Sequence, residues 1–460
     1  MTETICALAT APGGALGIIR VSGPQAFDAV SAICSIPCAS VAPNTIHFTR
    51  LVESNKEAPS YAATVSQPKI IDEALISIFR APHSYTGEDS VEISCHGSSY
   101  ILNKVLELLM DQGCRMANPG EFTMRAYLNG KLDLSQAEAV ADLIASTNKA
   151  THQMAMSQLR GGISTELARL REQLLKLTSL LELELDFSDH EDLEFADRSE
   201  LLELSKNINK HITHLAQSFE TGQAIKQGIP VAIVGKTNVG KSTLLNRLLK
   251  DDRAIVSDIH GTTRDTIEDT IDINGITFRF IDTAGIRQTS DQVEQIGIER
   301  TYAAIEKARI VIWLVDEEPS QEELNKIRLL SDNKKLIIVR NKIDKAENKP
   351  FTLVKIPLIE ISAKHGDHLS DLEQAIYEAA DIPTLSATDV IVTNARHYDA
   401  LSRAQVHLQR VLDGLQMQLS GDLLSEDLRL TLDTLAEITG GQITTNEVLG
   451  NIFKNFCVGK

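Results

Sequence analysis

Apolar positions along this chain change their period several times, and each change marks a different kind of element. In the first hundred or so residues the runs are short and alternate. ALISIF (74–79) and VEISC (91–95) place every second side chain on one face, which predicts half-buried strands. Further on the period lengthens. Leu167, Leu170, Leu174, Leu177 and Leu181 are spaced 3-4-3-4, which predicts one apolar helix face. DLLSEDLRLTLDTLAEI (422–438) has the same texture. Between these helical stretches lie near-continuous apolar runs: VAIVG (231–235), FRFID (278–282), IVIWLVD (310–316) and KLIIVRNK (335–342). Such runs, separated by helical patterns, predict a doubly wound sheet buried on both faces.

Proline divides the chain in the same places. It occurs at 12, 24, 37, 43, 59, 68, 82 and 119, then at 230, 319, 350, 357 and 383. The stretches 120–229 and 384–460 lack the strongest helix breaker. The expected architecture is multidomain α/β. Residues 1–119 form an α+β unit, 120–227 the first part of a helical domain, 228–382 an inserted Ras-like phosphate-loop domain, and 383–460 the second helical part. The stretch 182–197 holds eight acidic residues and no Lys or Arg, and reads as a solvated face or loop.

Composition narrows the class. In 460 residues, 45 Lys+Arg against 63 Asp+Glu give a net charge of −18, which argues against a surface coated for nucleic-acid binding. The longest clear apolar run, Ile310 to Val315, is far short of the ~18 residues of a membrane helix, so no membrane association is expected. The N-terminus MTETICALAT lacks a basic region and a long apolar run, and six cysteines lack paired spacing, which together fit a reducing cytoplasm. Cys34 and Cys38 are close in sequence, but no second pair follows to complete a metal site, and they read as buried thiols. Cys457 gives the end of the chain a C-a-a-X outline. Its final Lys and the lack of an upstream polybasic segment argue against prenylation.

The inserted segment carries the recognisable chemistry. GKTNVGKS (235–242) fits the phosphate loop G-x-x-x-x-G-K-[ST] and stands between a strand and a helix-like TLLNRLLK. Gly235 and Gly240 let the backbone of Asn238, Val239 and Thr243 wrap an anion. Lys241 would reach the β- and γ-phosphates, and Ser242 would ligate Mg²⁺. Asp282, Thr283, Ala284 and Gly285, in IDTAG, end a strand; Asp282 would hold the Mg²⁺ shell and Gly285 would meet the γ-phosphate. In NKID (341–344), Asn341 would tie the loop down, Lys342 would lay its stem along the base, and Asp344 would accept two hydrogen bonds from guanine. Ser362, Ala363 and Lys364 end the next strand, where backbone would meet the guanine O6. Four such motifs in order at strand ends predict a GTPase. Ile286 stands where Ras-like proteins have a water-orienting glutamine, so another group must take that role.

GKTNVGKS, GTTRD (261–265), DTAGIRQTSDQVEQIGIER (282–300) and the terminal FCVGK (456–460) resemble the MnmE/TrmE family, GTPases of tRNA wobble-uridine modification. YTGEDSVEISCHG (85–97) and PGEFTMRAYLNGKLDLSQAEAVADLI (119–144) extend the resemblance over the whole chain. Thr237 stands where proline is usual and Val458 where isoleucine is usual. The resemblance implies a K⁺ site from Asn238, Ser257, Ile259 and Thr262, with Thr263 linked to Mg²⁺ and Glu294 as the acid that orients water. It also implies an N-terminal tetrahydrofolate site at Arg20, Glu92, Lys131 and Lys460, for a 5-formyl- or methylene-folate, and a role for Cys457 in modification. The implied partners are a second copy of the chain, an MnmG (GidA)-like flavoprotein carrying FAD in a heterotetramer, and tRNA. A different reading is a ribosome-assembly GTPase of the Era/Der kind. Region 384–460 lacks the G-x-x-G loop and basic flank that such proteins use.

Overall fold

The computed structural model describes residues 3–53, 69–186, 198–252, 269–281, 302–345, 351, 358–382, 390–441, 449, 452–454, 456 and 458–459. By compactness the chain divides into two units. One comprises Met1–Ala145, Gln158–Asn209 and Arg403–Lys460; the other comprises Ser146–Ser157 and Lys210–Ser402.

The first unit begins with strands β1 (Ile5–Leu8) and β2 (Leu16–Ser22), helix α1 (Ala26–Ser31), strands β3 (Thr45–Glu53), β4 (Lys69–Phe79) and β5 (Ser90–His96), helix α2 (Ser99–Asp111) and the short β6 (Arg115–Met116). The strands form one sheet in the order β3-β4-β5-β2-β1-β6, antiparallel except where β6 runs parallel to β1. The predicted alternation decides which face is buried. Ile19 and Val21 of β2, Ile76 and Ile78 of β4, and Val91 and Ile93 of β5 turn inward, where Phe27 and Val30 of α1 and Leu102, Val105 and Leu109 of α2 cover them. On the opposite face Arg20 lies directly across from Glu92 in the β2–β5 register.

Helices follow: α3 (Glu121–Leu128), α4 (Leu134–Ala145), α5 (Lys149–Leu159), α6 (Gly162–Asp186) and α7 (Arg198–Gln227). The predicted leucine face of α6 is the buried one, with Leu167 at 6% exposure and Leu174, Leu177 and Leu181 at 0%. At about 1.5–3 kcal/mol per buried leucine, that stripe supplies much of what holds a long helix in place.

The second unit is the doubly wound sheet. Its elements are β7 (Ile229–Val234), α8 (Lys241–Asp252), the hairpin β8 (Asp269–Ile273) and β9 (Ile276–Phe280), β10 (Ile310–Val315), α9 (Gln321–Leu330), β11 (Lys335–Arg340), β12 (Leu358–Glu360) and α10 (Leu369–Ala379). The strand order is β12-β11-β10-β7-β9-β8, parallel except for the hairpin. Asn274 and Gly275 turn that hairpin, both at positive φ (54° and 82°), the geometry a two-residue turn needs. Every residue of β10 is buried, and its side chains split between two cores. Ile310, Ile312 and Leu314 pack on one face of the sheet, Val311, Trp313 and Val315 on the other.

Residues 146–157 belong to this sheet unit. Asn148 Nδ2 donates to Thr277 Oγ1 at 2.7 Å, the Ala150 N–H donates to Gly275 O at 3.0 Å, and Ala150 enters the sheet's core. The chain ends in α11 (Ala395–Gln416) and α12 (Gly421–Thr439), where Leu424, Leu428 and Leu435 form a buried stripe. The helical domain is thus interrupted by an inserted Ras-like domain. Among the described residues no helix is long and apolar enough to cross a membrane.

Candidate nucleotide site and N-terminal sheet site

The phosphate loop leaves β7 at Val234 and enters α8 at Lys241, so its amides face the N-terminal end of a helix whose dipole favours an anion. Two glycines make this turn feasible. Gly235 has φ +152° and Gly240 φ +108°. A Cβ at Gly235 would collide with the Leu314 carbonyl, and one at Gly240 with the Asn341 amide nitrogen. Asn238 takes a left-handed conformation at φ 62°, which asparagine tolerates better than most residues. The Lys241 amino group donates to the carbonyls of Gly235 and Lys236, both at 2.7 Å, and burial holds its pKa below the usual lysine value. Ser242 is half-buried, Val239 is buried and Thr243 is exposed.

The base-side motif meets this loop through one residue. Asn341 follows β11 and is 4% exposed. Its Nδ2 donates to Val239 O at 2.8 Å, and its Oδ1 accepts the Ala363 N–H at 2.9 Å. One side chain therefore satisfies backbone groups of both the phosphate loop and the loop after β12. Asp344 accepts from Ser362 Oγ at 2.8 Å, and this hydrogen bond holds its carboxyl below the ordinary aspartate value. His365 stands 3.8 Å from the same carboxylate. Lys342, at φ 66°, is paired with Asp316 at 2.7 Å. Lys364 is exposed beside them. Asp316 was not among the expected site residues. Its signal was its place, as the first polar residue after the six apolar residues of β10.

The structure thus gathers Asn238, Val239, Gly240, Lys241, Asn341, Lys342, Asp344, Ser362 and Ala363 at the carboxyl ends of parallel strands, where open α/β sheets place their ligands. Ser257, Ile259, Thr262, Thr263, Asp282, Thr283, Ala284, Gly285 and Glu294 lie outside the described residues. A cavity of about 420 Å³ borders the loop, lined by Gly235, Lys236, Val239 and Asp316 together with Tyr302 and Trp313, and Lys241, Asn341 and Asp344 take no part in it.

A second polar constellation stands on the open face of the N-terminal sheet. Arg20 donates to Glu92 Oε1 through Nε at 2.9 Å and Nη2 at 2.7 Å, and to Gly459 O through Nη1 at 3.3 Å. Its guanidinium lies 5.4 Å from the Tyr85 ring centroid and 5.6 Å from that of Phe122. Lys131 is exposed, donates to Pro82 O at 3.0 Å, and reaches past Gly87 in the loop that carries Tyr85. The chain's end reaches this site because Phe453 and Phe456 pack at Gly120, and Gly459, at φ +92°, lies so close to Leu8 O that no Cβ would fit. Sequence reading missed Tyr85, Phe122 and the Gly459 carbonyl. Only the ring types hinted at them. Cys457 and Lys460 lie outside the described residues.

Two family models match the chain. One, described as the GTP-binding protein TrmE N-terminus, covers residues 4–131, and the other, the MnmE helical domain, covers 134–457. Proteins named tRNA modification GTPase MnmE are similar over full length. That of Phocaeicola vulgatus is 53% identical over 100% of this chain and 99% of its own. That of Bacteroides thetaiotaomicron is 52% identical and that of Bacteroides fragilis 53%, with the same coverage. A phosphate loop braced by Asn341, an N-terminal sheet reached by the C-terminus, and half-identical relatives from end to end agree: the chain belongs to the MnmE/TrmE family of tRNA modification GTPases.

Proposed function

We propose that this chain binds GTP at the loop 235–242, hydrolyses it to GDP and phosphate, and does so in the modification of tRNA. The observation that carries the reading is the Asn341 bridge from Val239 O to Ala363 N, which supports one receptor built from the phosphate loop and the loops that would hold the base. The cradle fits a nucleotide: the loop backbone passes where side chains would collide, and Lys241 is a half-buried cation without a carboxylate partner among the described residues. Ser242 and Thr263 are the residues that would hold Mg²⁺. The ion neutralises charge developing on the phosphates when bound. Asn238, Ser257, Ile259 and Thr262 would hold K⁺, and Glu294 would orient water in place of the missing glutamine.

The N-terminal site suits a folate. A glutamate-paired guanidinium over two aromatic rings offers a carboxylate acceptor for a pterin edge and a cation for its acidic tail, with Lys131 and Lys460 as further cations. A one-carbon unit from 5-formyl- or methylene-tetrahydrofolate would then reach C5 of the wobble uridine as an aminomethyl or carboxymethylaminomethyl group, with an MnmG-like flavoprotein supplying FAD. Cys457 would serve that step and not GTP hydrolysis. Edge strand β3 and its neighbour β4 expose Ile46 (66%), Phe48 (62%) and Leu75 (47%) on the Arg20 side of the sheet, an apolar strip that supports a homodimer through the N-terminal units. In domain terms 1–119 would bind folate and dimerise, 228–382 would hydrolyse GTP, and 120–227 with 383–460 would link them, in the cytoplasm.

The test is a pair of measurements on Lys241→Ala and Arg20→Ala: phosphate release by the purified proteins, and nucleoside mass spectra of tRNA from cells carrying them. Lys241→Ala should lose both hydrolysis and modification, and Arg20→Ala modification alone. Full modification in both variants would overturn the reading.

A further inference from the structure

Cys34 and Cys38, left over by the nucleotide and folate sites, occupy a five-residue turn between α1 and the edge strand β3. The turn is built around one acceptor. Cys34 Sγ donates to Ile36 O at 3.4 Å and Cys38 Sγ approaches the same oxygen at 3.7 Å, so both sulfurs are directed to one point. The turn is pinned on both sides. The Cys38 N–H donates to Ser31 Oγ at 2.9 Å, the Ser35 N–H to Thr49 Oγ1 at 3.2 Å, and Cys34 forms a bridge with Leu51 of β3. Cys34 is 8% exposed and Cys38 fully buried, so of the two Cys34 lies nearer the surface.

We propose that Cys34 and Cys38 form a redox-active dithiol, in which Cys34 is attacked by a hydroperoxide and Cys38 resolves the product into a disulfide. In the first step the Cys34 thiolate attacks the peroxide oxygen. The S–O bond forms, the O–O bond breaks, and water or an alcohol leaves with a proton. In the second step the Cys38 sulfur attacks the Cys34 sulfenic acid, the S–O bond breaks and water leaves. Two thiols and one peroxide become one disulfide, one water and one further water or alcohol.

The chemistry divides the roles in the same way. The Cys38 thiol, hydrogen-bonded to the Cys34 sulfur, holds the Cys34 pKa down to about 7 against the effect of burial, while that bond and burial push Cys38 up. A second thiol pair, Cys6 and Cys114, is also hydrogen-bonded and comparably buried, at 0% and 6% exposure, but among the described residues its two sulfurs are not turned to a common carbonyl as those of Cys34 and Cys38 are.

The experiment uses the full chain. The protein is treated with stoichiometric hydrogen peroxide at neutral pH, remaining thiols are alkylated after denaturation, and peptides are mapped by mass. One internal Cys34–Cys38 linkage, lighter by two hydrogen atoms and reversed by dithiothreitol, is the expected result. In Cys38→Ala, Cys34 should instead trap dimedone as the sulfenic acid, and its alkylation at pH 7 should slow by about threefold as its pKa returns to the ordinary range. Both thiols remaining free, or linkage of Cys6 to Cys114 first, overturns the proposal. The map of the unmutated protein decides the matter even if the variant does not fold.

Discussion

Asn341 and Val239 are 102 residues apart in sequence, yet the Asn341 side-chain amide donates to the Val239 carbonyl at 2.8 Å in a buried hydrogen bond. The same side chain accepts from Ala363, and Gly240, beside Val239, has no Cβ because the Asn341 amide occupies that space. The bridge holds three loops from three strand ends in fixed relation before any ligand arrives. Such preorganisation lowers the ordering cost of binding.

Replacing Asn341 by alanine should therefore weaken guanine nucleotide binding. Two buried backbone groups lose their partner, at about 1–3 kcal/mol each, so affinity should fall by tens of fold or more. Isothermal titration with GDP measures this. Affinity within twofold of the parent would mean that the bridge is incidental to the site.

Base choice rests on Asp344, whose first oxygen accepts from Ser362 while His365 stands 3.8 Å from the second. Asp344→Asn presents a donor to guanine's own donors. The expected outcome is at least a tenfold loss for GTP and a gain for the xanthine nucleotide, whose base offers an acceptor there. Competition of each nucleotide against a fluorescent GDP analogue reads both changes. An unaltered preference for guanine would refute the assignment of the base site.

Hydrolysis should depend on K⁺. Asn238 stands in the left-handed turn of the phosphate loop, where a cation would act as an arginine finger does elsewhere, and fingers contribute ~10³–10⁵ in rate. Phosphate release should fall at least tenfold when Na⁺ replaces K⁺. In Asn238→Ala the difference between salts should vanish while GDP still binds. Equal rates of the parent in the two salts would count against the site.

Acid should destabilise the N-terminal unit through Glu121. Burial pushes this carboxyl up, but hydrogen bonds from Arg115, the Asn118 amide and Arg125 outweigh it and leave it below the usual glutamate value. The group loses stabilising contacts when protonated. Its contribution is thus complete above the unfolded pKa of about 4.3 and disappears as pH falls through the lower folded value. Glu121→Gln should cost about 1–3 kcal/mol at pH 7, because Arg125, 1% exposed, would lose one of its two carboxylate partners and keep Glu88. It should also flatten the decline below pH 4. Urea midpoints across pH 3–7 provide the check, and an equally steep decline in the variant would assign it to other carboxylates.

Local pattern accounts for much of what is seen. Period-two runs became β4 and β5, the 3-4-3-4 leucines became the buried face of α6, and six consecutive apolar residues became β10, packed on both faces. The phosphate loop was legible because its chemistry needs residues close together in sequence, with glycines where a Cβ would collide. The assignment of 146–157 to the sheet unit was not legible. It depends on Asn148 meeting Thr277 and Ala150 meeting Gly275, contacts that no helical period encodes.

The sequence alone determined the kinds of element, their order, and the motifs that name a guanine nucleotide as ligand, since each depends on neighbours a few residues apart. Tertiary structure alone decided which distant groups share a site. It set Asn341 between two loops, placed Arg20 over Tyr85 and Phe122, returned Gly459 to the end of β1, and turned Cys34 and Cys38 toward one carbonyl. The physical reason is that such contacts are selected by packing and by satisfaction of buried polar groups across the closed chain. Residues of the same type and local spacing elsewhere remain plain core or plain surface.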